Sequence, residues 1–288
     1  MHIAILGANG VYARHLLPRL TTAGHAVTAL VRRPEAAGVA RACGATVKAA
    51  NIFDIASMTS ALEGCDVAIN LATSLPGPSG RGDFAENDKL RVEGGENFVR
   101  ACRAAGVARV VQQSISFVNA SGDARWSDEG FVFAPAADTV ATRAIAAALQ
   151  MEAGIRASGL DWVILRGGLF YGPGTGFDEG WFARAAAGKL RAPGDGAAYV
   201  SLVHIADMAS ATVAALSNWP SKQALIVCDD EPVQWRDLFA FIAACAGQAP
   251  PATGGQEAFP SFRLKNARAK QVLGWRPYYS TYREGLVR

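Results

Sequence analysis

The sequence predicts an α/β protein: a doubly wound parallel sheet with a smaller C-terminal lobe. Three observations carry this. Short apolar runs alternate with segments of helical spacing through residue 165. A glycine-bearing turn, Gly7-Ala-Asn-Gly10, joins the first run to the first helix. After Arg166 the texture changes, with five Gly and one Pro in residues 167–176. Strands alternating with helices give a parallel sheet covered on both faces. Right-handed crossovers then make it doubly wound.

His2–Leu6 is a short apolar run that stops at Gly7 and reads as a buried strand. Residues 10–23 place Val11, Leu16, Leu17 and Leu20 at helical spacing. Ala26–Val31 is the second strand, and Pro34 opens a helix where its missing N–H is not needed. Residues 45–49 form a third strand, Ile55–Leu62 a helix ended by Gly64, and residues 67–71 a fourth strand. Residues 84–105 are a long helix closed by Gly106, and 109–113 a fifth strand. Residues 138–157 are an Ala-rich helix stopped by Gly159, and 162–165 a sixth strand. Farther on, residues 181–187 and 205–216 read as helices, while 199–203 and 224–227 are strands able to rejoin the sheet. From Pro232 onward come two more helices and the Pro250-Pro251 loop. The sheet domain is expected at 1–166, rejoined by 199–228, and the smaller substrate-binding lobe at 167–288.

Half of the 288 residues are hydrophobic and 18% are charged, a globular composition with material for a sizeable core. The net charge of +3 and the scattered arginines lack the basic stripe of a nucleic-acid binder. Five Cys without a Cys-x-x-Cys pair suit buried free thiols in a reducing compartment. The four His (His2, His15, His25, His204) show no ligand spacing, so no metal is expected. A strand beginning at residue 2 leaves no room for a signal peptide, and no apolar run reaches membrane-spanning length. The expectation is a cytoplasmic protein with neither nucleic-acid nor membrane partners.

Gly7-Ala-Asn9-Gly10-Val11-Tyr12-Ala13 has the context of a dinucleotide fingerprint, after a strand and opening a helix. Gly7 allows the tight turn, Gly10 lets the backbone approach a pyrophosphate, and Ala13 is small where helix and strand pack closely. The helix N-terminus offers free N–H groups to the phosphates. The alternative is an ordinary strand-to-helix turn. Where NAD binders usually place an acid for the ribose 2′-hydroxyl, this chain has Arg32-Arg33. A guanidinium pairs with a 2′-phosphate through two hydrogen bonds, so NADP(H) is expected over NAD(H). Two solvated surface arginines are the alternative. Asp54 either accepts from the adenine amine or caps the helix at Ile55, and both roles are compatible.

The chain resembles the extended short-chain dehydrogenase/reductases, the epimerase/dehydratase-like group on the Rossmann fold. The resemblance rests on the glycine motif, Asp54-Ile55, Asn70-Leu71-Ala72, Val110-Val111-x-x-Ser114, Leu165-Arg166-Gly-Gly-x-x-Tyr171-Gly-Pro-Gly, Val203-His204-x-x-Asp207 and Leu273-Gly274-Trp275-x-Pro277. It implies cofactor contacts at Ile55, Leu71, Ala72, Thr73 and Ser114, and at Phe170 beside the nicotinamide. It also implies a small-molecule substrate held against the C-terminal lobe, and a homodimer through the helices at 84–105 and 138–157.

The family's chemistry uses Tyr as acid/base and Lys one turn along to lower the Tyr pKa. Here no Tyr lies between Tyr12 and Tyr171 and no Lys between Lys89 and Lys189. Counting back from Glu152, where similar proteins carry a helix Glu, puts Ala144 and Ala148 at the two positions. Ser114 and Ser116 remain, either to orient a substrate carbonyl or to bond backbone. Tyr12 and Tyr171 are the candidates for a displaced acid, with packing as the alternative. Asp128-Glu129 and Asp178-Glu179 offer carboxyl groups but equally read as loop charges. Trp126, Phe131, Phe133, Phe177, Trp181 and Phe182 could line an apolar pocket.

The expected function is an NADP(H)-dependent oxidoreductase acting on a small organic substrate without the Tyr-Lys pair. The competing readings are a non-catalytic NADP(H) binder resembling redox sensors, and a redox-neutral epimerase/dehydratase-like enzyme.

Overall fold

A computed structural model describes residues 1–76, 82–134 and 137–286. The apolar runs of the first half become strands separated by helices. In order these are β1 (His2–Leu6), α1 (Val11–Thr22), β2 (Ala26–Val31), α2 (Gly38–Ala42), β3 (Thr46–Ala49), α3 (Ile55–Leu62) and β4 (Val67–Asn70). Next come α4 (Phe84–Lys89), α5 (Gly95–Ala104), β5 (Arg109–Ile115), β6 (Trp126–Ser127), α6 (Val140–Ala157), β7 (Asp161–Gly167) and β8 (Leu169–Tyr171). The rest of the chain supplies α7 (Phe177–Ala186), β9 (Tyr199–Val200), β10 (Leu202–His204), α8 (Ile205–Asn218), β11 (Gln223–Val227), β12 (Val233–Gln234), α9 (Trp235–Cys245), β13 (Arg263–Leu264), α10 (Ala267–Leu273) and α11 (Tyr282–Gly285).

The chain packs as two compact units. The first takes Met1–Ser114, Ala146–Leu165 and Ala209–Ala224, and the second Ile115–Ile145, Arg166–Met208 and Leu225–Arg288. Residues 115–145, expected in the sheet domain, belong to the second unit, and of the 199–228 segment expected to rejoin the first unit only 209–224 does so.

In the first unit, β1 is buried from Ile3 to Leu6 and lies between two other strands. The sheet has seven parallel strands in the order β11-β7-β5-β4-β1-β2-β3. Leu6 is in register with Leu30 of β2 on one side and Asn70 of β4 on the other. The chain winds outward in both directions from β1 and β4. Their C-terminal ends are therefore the switch point, where open α/β sheets leave a crevice for ligands. Leu30, Met58, Leu62, Phe98, Ile155 and Ile164 are among the buried core residues beside this sheet. The long helix expected at 84–105 is α4 and α5 joined by a π turn, Leu90–Gly94. Gly94 lets the turn lie against the loop before α3, because a Cβ there would sit 2.8 Å from Ile52 Cδ1.

The second unit holds three two-stranded sheets: β8 with β10, β12 with β9, and β13 with β6. Of the two segments expected to rejoin the main sheet, 199–203 does not, and only β11 does so. Val200 pairs antiparallel with Val233, and Leu202 pairs parallel with Leu169. Ser201 holds the break between them, its hydroxyl donating to the Phe262 carbonyl and accepting from Leu264 N–H, each at 3.0 Å. The core of this unit is aromatic and includes Tyr171, Trp181, Trp235, Phe239, Phe262 and Tyr282. No helix among the described residues is long and apolar enough to cross a membrane.

Candidate functional site

The turn after β1 is built around two missing side chains. Gly7 adopts φ +80°, and a Cβ on it would lie 2.8 Å from Leu71 C and 2.9 Å from Ala72 N. The backbone leaving β4 thus passes directly against the turn. Asn70 fixes that backbone, accepting from Ala72 N–H at 3.1 Å and donating to Gln112 Oε1 at 3.0 Å. Gly10 is the N-cap of α1 with ordinary φ −71°, and no side chain caps the helix. The positive end of the helix dipole therefore lies at this turn with no capping side chain over it. Ala13 is completely buried, as the close approach of helix to sheet requires. Gly7, Gly10, Val11, Leu71 and Ala72 thus lie around the switch point, and the cradle fits a pyrophosphate that a Cβ would displace.

Arg32 and Arg33 follow β2, are exposed, and form no ion pair among the described residues. Asp54 caps α3: its Oδ1 accepts from Ala56 N–H at 3.0 Å and Ser57 N–H at 3.2 Å. Asn9 is half-buried and Thr73 exposed, while Ile55 packs against the core of the first unit. Phe170 belongs to the second unit, where its ring covers Gly167: a Cβ there would sit 2.5 Å from Phe170 Cε1.

Of the hydroxyl groups singled out by sequence, those of Ser114, Tyr12 and Tyr171 are engaged, while the buried Ser116 Oγ has no hydrogen-bond partner among the described residues. Ser114 is buried and donates to Glu152 Oε1 at 2.7 Å, and Glu152, wholly buried, is paired through Oε2 with Arg156 at 2.9 Å. In the sequence Glu152 serves only as a landmark, because a bond between residues 114 and 152 leaves no local signal. Tyr12 is bonded to Thr212 Oγ1 at 2.5 Å and clamps α1 to α8, and burial pushes its ionisation far up. Tyr171 is fully buried in the second unit, with Gly285 against its ring and its hydroxyl donating to the Thr281 carbonyl at 3.4 Å. Burial, then the neighbouring Asp229, drives its ionisation far above the usual range. The acids are structural as well. Glu129 accepts from Ile226 N–H at 2.9 Å, and Asp207 from Tyr278 and Tyr279 N–H at 2.8 and 2.9 Å. The His204 ring packs tilted against Tyr279 with centroids 4.0 Å apart.

The second unit also contains a cavity of about 900 Å³. Phe177 and Trp181 line it as expected, together with Trp235, Phe239 and Phe259. Of the other aromatics named from sequence, Phe133 and Phe182 pack against the core, and Trp126 lies under the Arg263 guanidinium at 4.5 Å. Arg184, Lys189 and Arg191 also border the cavity.

A switch-point crevice, a glycine turn that excludes a Cβ and an uncapped helix define a dinucleotide-binding α/β protein. The chain belongs to the NAD(P)H-binding family, whose model matches residues 7–218. It is 32% identical to a 3-diazoavenalumate denitrifying reductase of a Streptomyces species, with 100% of each chain covered. It is 27% identical to a 4-hydroxy-2-methyl-3-oxo-4-farnesyl-3,4-dihydroquinoline-1-oxide ketoreductase of Stigmatella aurantiaca, over 86% of this chain and 74% of that one. In fold it is similar to the UDP-glucose 4-epimerase of Thermus thermophilus, solved with NAD: TM-score 0.79, 21% identity, 99% and 96% of the two chains covered. The fold and the family read from the sequence are both borne out. Relatives named as reductases and the NAD(P)H-binding domain together make this an oxidoreductase-type protein.

Proposed function

We propose that the chain is an NADP(H)-dependent reductase of a small, electron-poor acceptor, working without an acid–base side chain at the reacting atom. The observation that carries this reading is α6. Ala144 and Ala148 stand one turn apart where similar proteins carry Tyr and Lys, and Ala148 is wholly buried. A methyl group neither gives nor takes a proton. The Ser114 hydroxyl is held by Glu152, and the phenols of Tyr12 and Tyr171 are sealed in cores.

When bound, the nicotinamide supplies a hydride. What the chain contributes is position and charge. Gly7 and Gly10 leave room for a pyrophosphate, the first turn of α1 takes its charge, and Arg32 and Arg33 meet a 2′-phosphate. Holding two reactants in line supplies much of the rate by itself.

The name of the Streptomyces relative gives a diazo carboxylate as substrate and loss of nitrogen as outcome. An aryl diazonium acid suits a site of this kind. The hydride forms the new C–H bond, the C–N bond breaks, and its electron pair leaves with N2. Cation and hydride give a neutral arene, so no proton moves and the missing Tyr and Lys cost nothing.

The test follows NADPH absorbance and N2 release with freshly diazotised 3-aminocinnamate, beside a panel of secondary alcohols with NADP⁺ at alkaline pH. One N2 and one arene per NADPH, with alcohols left untouched, is the expected result. Fast oxidation of an ordinary alcohol, or no NADPH consumption with the diazonium acid, overturns the reading.

A further inference from the structure

The cavity of the second unit is apolar below and cationic at its mouth. Its floor is a connected aromatic cluster. Trp181 meets Trp235 edge-on with centroids 5.9 Å apart, Phe239 lies 5.7 Å from Trp181, and Phe259 stacks over Trp235 at 6.4 Å. Trp181 is 4% exposed, Trp235 5% and Phe239 4%. These rings are packed by their neighbours and present fixed faces, which favours a flat, conjugated ligand.

The charges around this floor do not cancel. Arg184, Lys189 and Arg191 border the cavity and form no ion pair among the described residues. Of the two acids on its wall, Asp123 is already paired with Arg125 at 2.8 Å, which leaves Glu257 alone against three cations. The backbone offers an anion little more. Gly176 opens α7 at the cavity wall, and Glu179 folds back over that helix end, accepting from Gly174 N–H at 3.1 Å and Gly176 N–H at 2.8 Å. That carboxylate takes the N–H of the N-cap residue and sets a negative charge at the helix end, which disfavours a phosphate there. The volume, about 900 Å³, suits a ligand of one ring system with a side chain.

We infer that this cavity recognises a planar conjugated carboxylic acid, its rings on the Trp181–Trp235 floor and its carboxylate held by Arg184, Lys189 and Arg191. The inference deepens the reductase reading and rests on it for the reaction; the binding stands or falls separately. In that reading the cavity selects the acid end of the substrate.

The experiment is calorimetric titration of the full chain, without cofactor, against three probes: trans-cinnamate, its neutral carboxamide and UDP. Cinnamate is expected to bind roughly tenfold or more tightly than the carboxamide, the ratio for a charge-assisted hydrogen bond. The double variant Arg184→Gln/Arg191→Gln is expected to bring cinnamate down to the carboxamide's affinity and to leave the carboxamide unchanged. Both residues are exposed, so circular dichroism should show an intact fold. Equal binding of acid and amide, equal weakening of both by the double variant, UDP binding tighter than cinnamate, or no binding of cinnamate each overturn the proposal. Cinnamate binding as expected, with no NADPH consumption by any diazonium acid, would remove the reductase reading and leave the acid site standing.

Discussion

Gly7 and Gly10 separate the fold from the ligand, because the turn uses their missing side chains for different ends. In Gly7→Ala the new methyl group has nowhere to go. It would sit 2.8 Å from Leu71 C and 2.9 Å from Ala72 N, both backbone atoms, at φ +80°. A left-handed conformation costs alanine about 1–2 kcal/mol, and forcing a methyl into a packed contact about 1–3 kcal/mol more. The sum, roughly 2–5 kcal/mol, corresponds to a melting point lower by on the order of 10 °C for a chain of this size. Gly10 has φ −71°, which any residue adopts, and a Cβ there meets only the Gly7 carbonyl oxygen, at 3.2 Å. Gly10→Val should therefore melt within a few degrees of the wild type, yet bind NADPH on the order of a hundredfold more weakly, because its branches fill the phosphate cradle. Melting by circular dichroism and calorimetric NADPH titration of both variants decide the matter. Wild-type affinity in Gly10→Val would show that the turn holds no phosphate, and an unchanged melting point in Gly7→Ala would refute the contact with β4.

Arg32→Ala should weaken NADPH binding roughly tenfold to a hundredfold and leave NADH nearly unchanged; equal dissociation constants for the two cofactors in the wild type would defeat the assignment. Ser114→Ala leaves the buried Glu152 carboxylate short of one donor and should cost about 1–3 kcal/mol of stability, while the rate of NADPH-dependent reduction changes less than tenfold; a larger loss of rate with full stability would make Ser114 catalytic. Burial holds the Asp229 carboxyl neutral well above the usual carboxylate range. The unfolded chain ionises it at ordinary pH, so stability from the neutral form is present below the unfolded pKa and drains away as pH rises. The melting point of Asp229→Asn minus that of the wild type should therefore grow from acidic to alkaline pH, and a flat or falling difference would contradict the burial argument.

The sheet was legible because each of its strands leaves a local mark. β1 is an apolar run stopped by a glycine, and β4 and β5 are apolar runs placed after helix-ending glycines. The small strands β6, β8, β9, β10, β12 and β13 have two or three residues each, too short for any periodicity to show. That is why 199–203 reads as one strand when Ser201 splits it between two sheets. The glycine turn was legible for the same reason as β1, its residues being neighbours in sequence, whereas the approach of Leu71 and Ala72 to Gly7 spans more than sixty residues. The cavity was not, since Trp181 meets Trp235 across more than fifty residues. A weaker signal did exist. Phe177 and Trp181, and Trp235 and Phe239, are aromatic pairs one helical turn apart, each pair marking one face of its helix.

The way Glu179 closes the start of α7 has a consequence for how this protein can diverge. With two backbone donors there taken by a carboxylate, the polarity of the cavity resides in three surface side chains that form no ion pair among the described residues. Their replacement can invert the ligand's required sign without disturbing a single strand or helix. Specificity is thereby uncoupled from the scaffold, and this corner of the molecule can drift from one class of metabolite to another by a few codon changes while the nucleotide-binding half stays fixed.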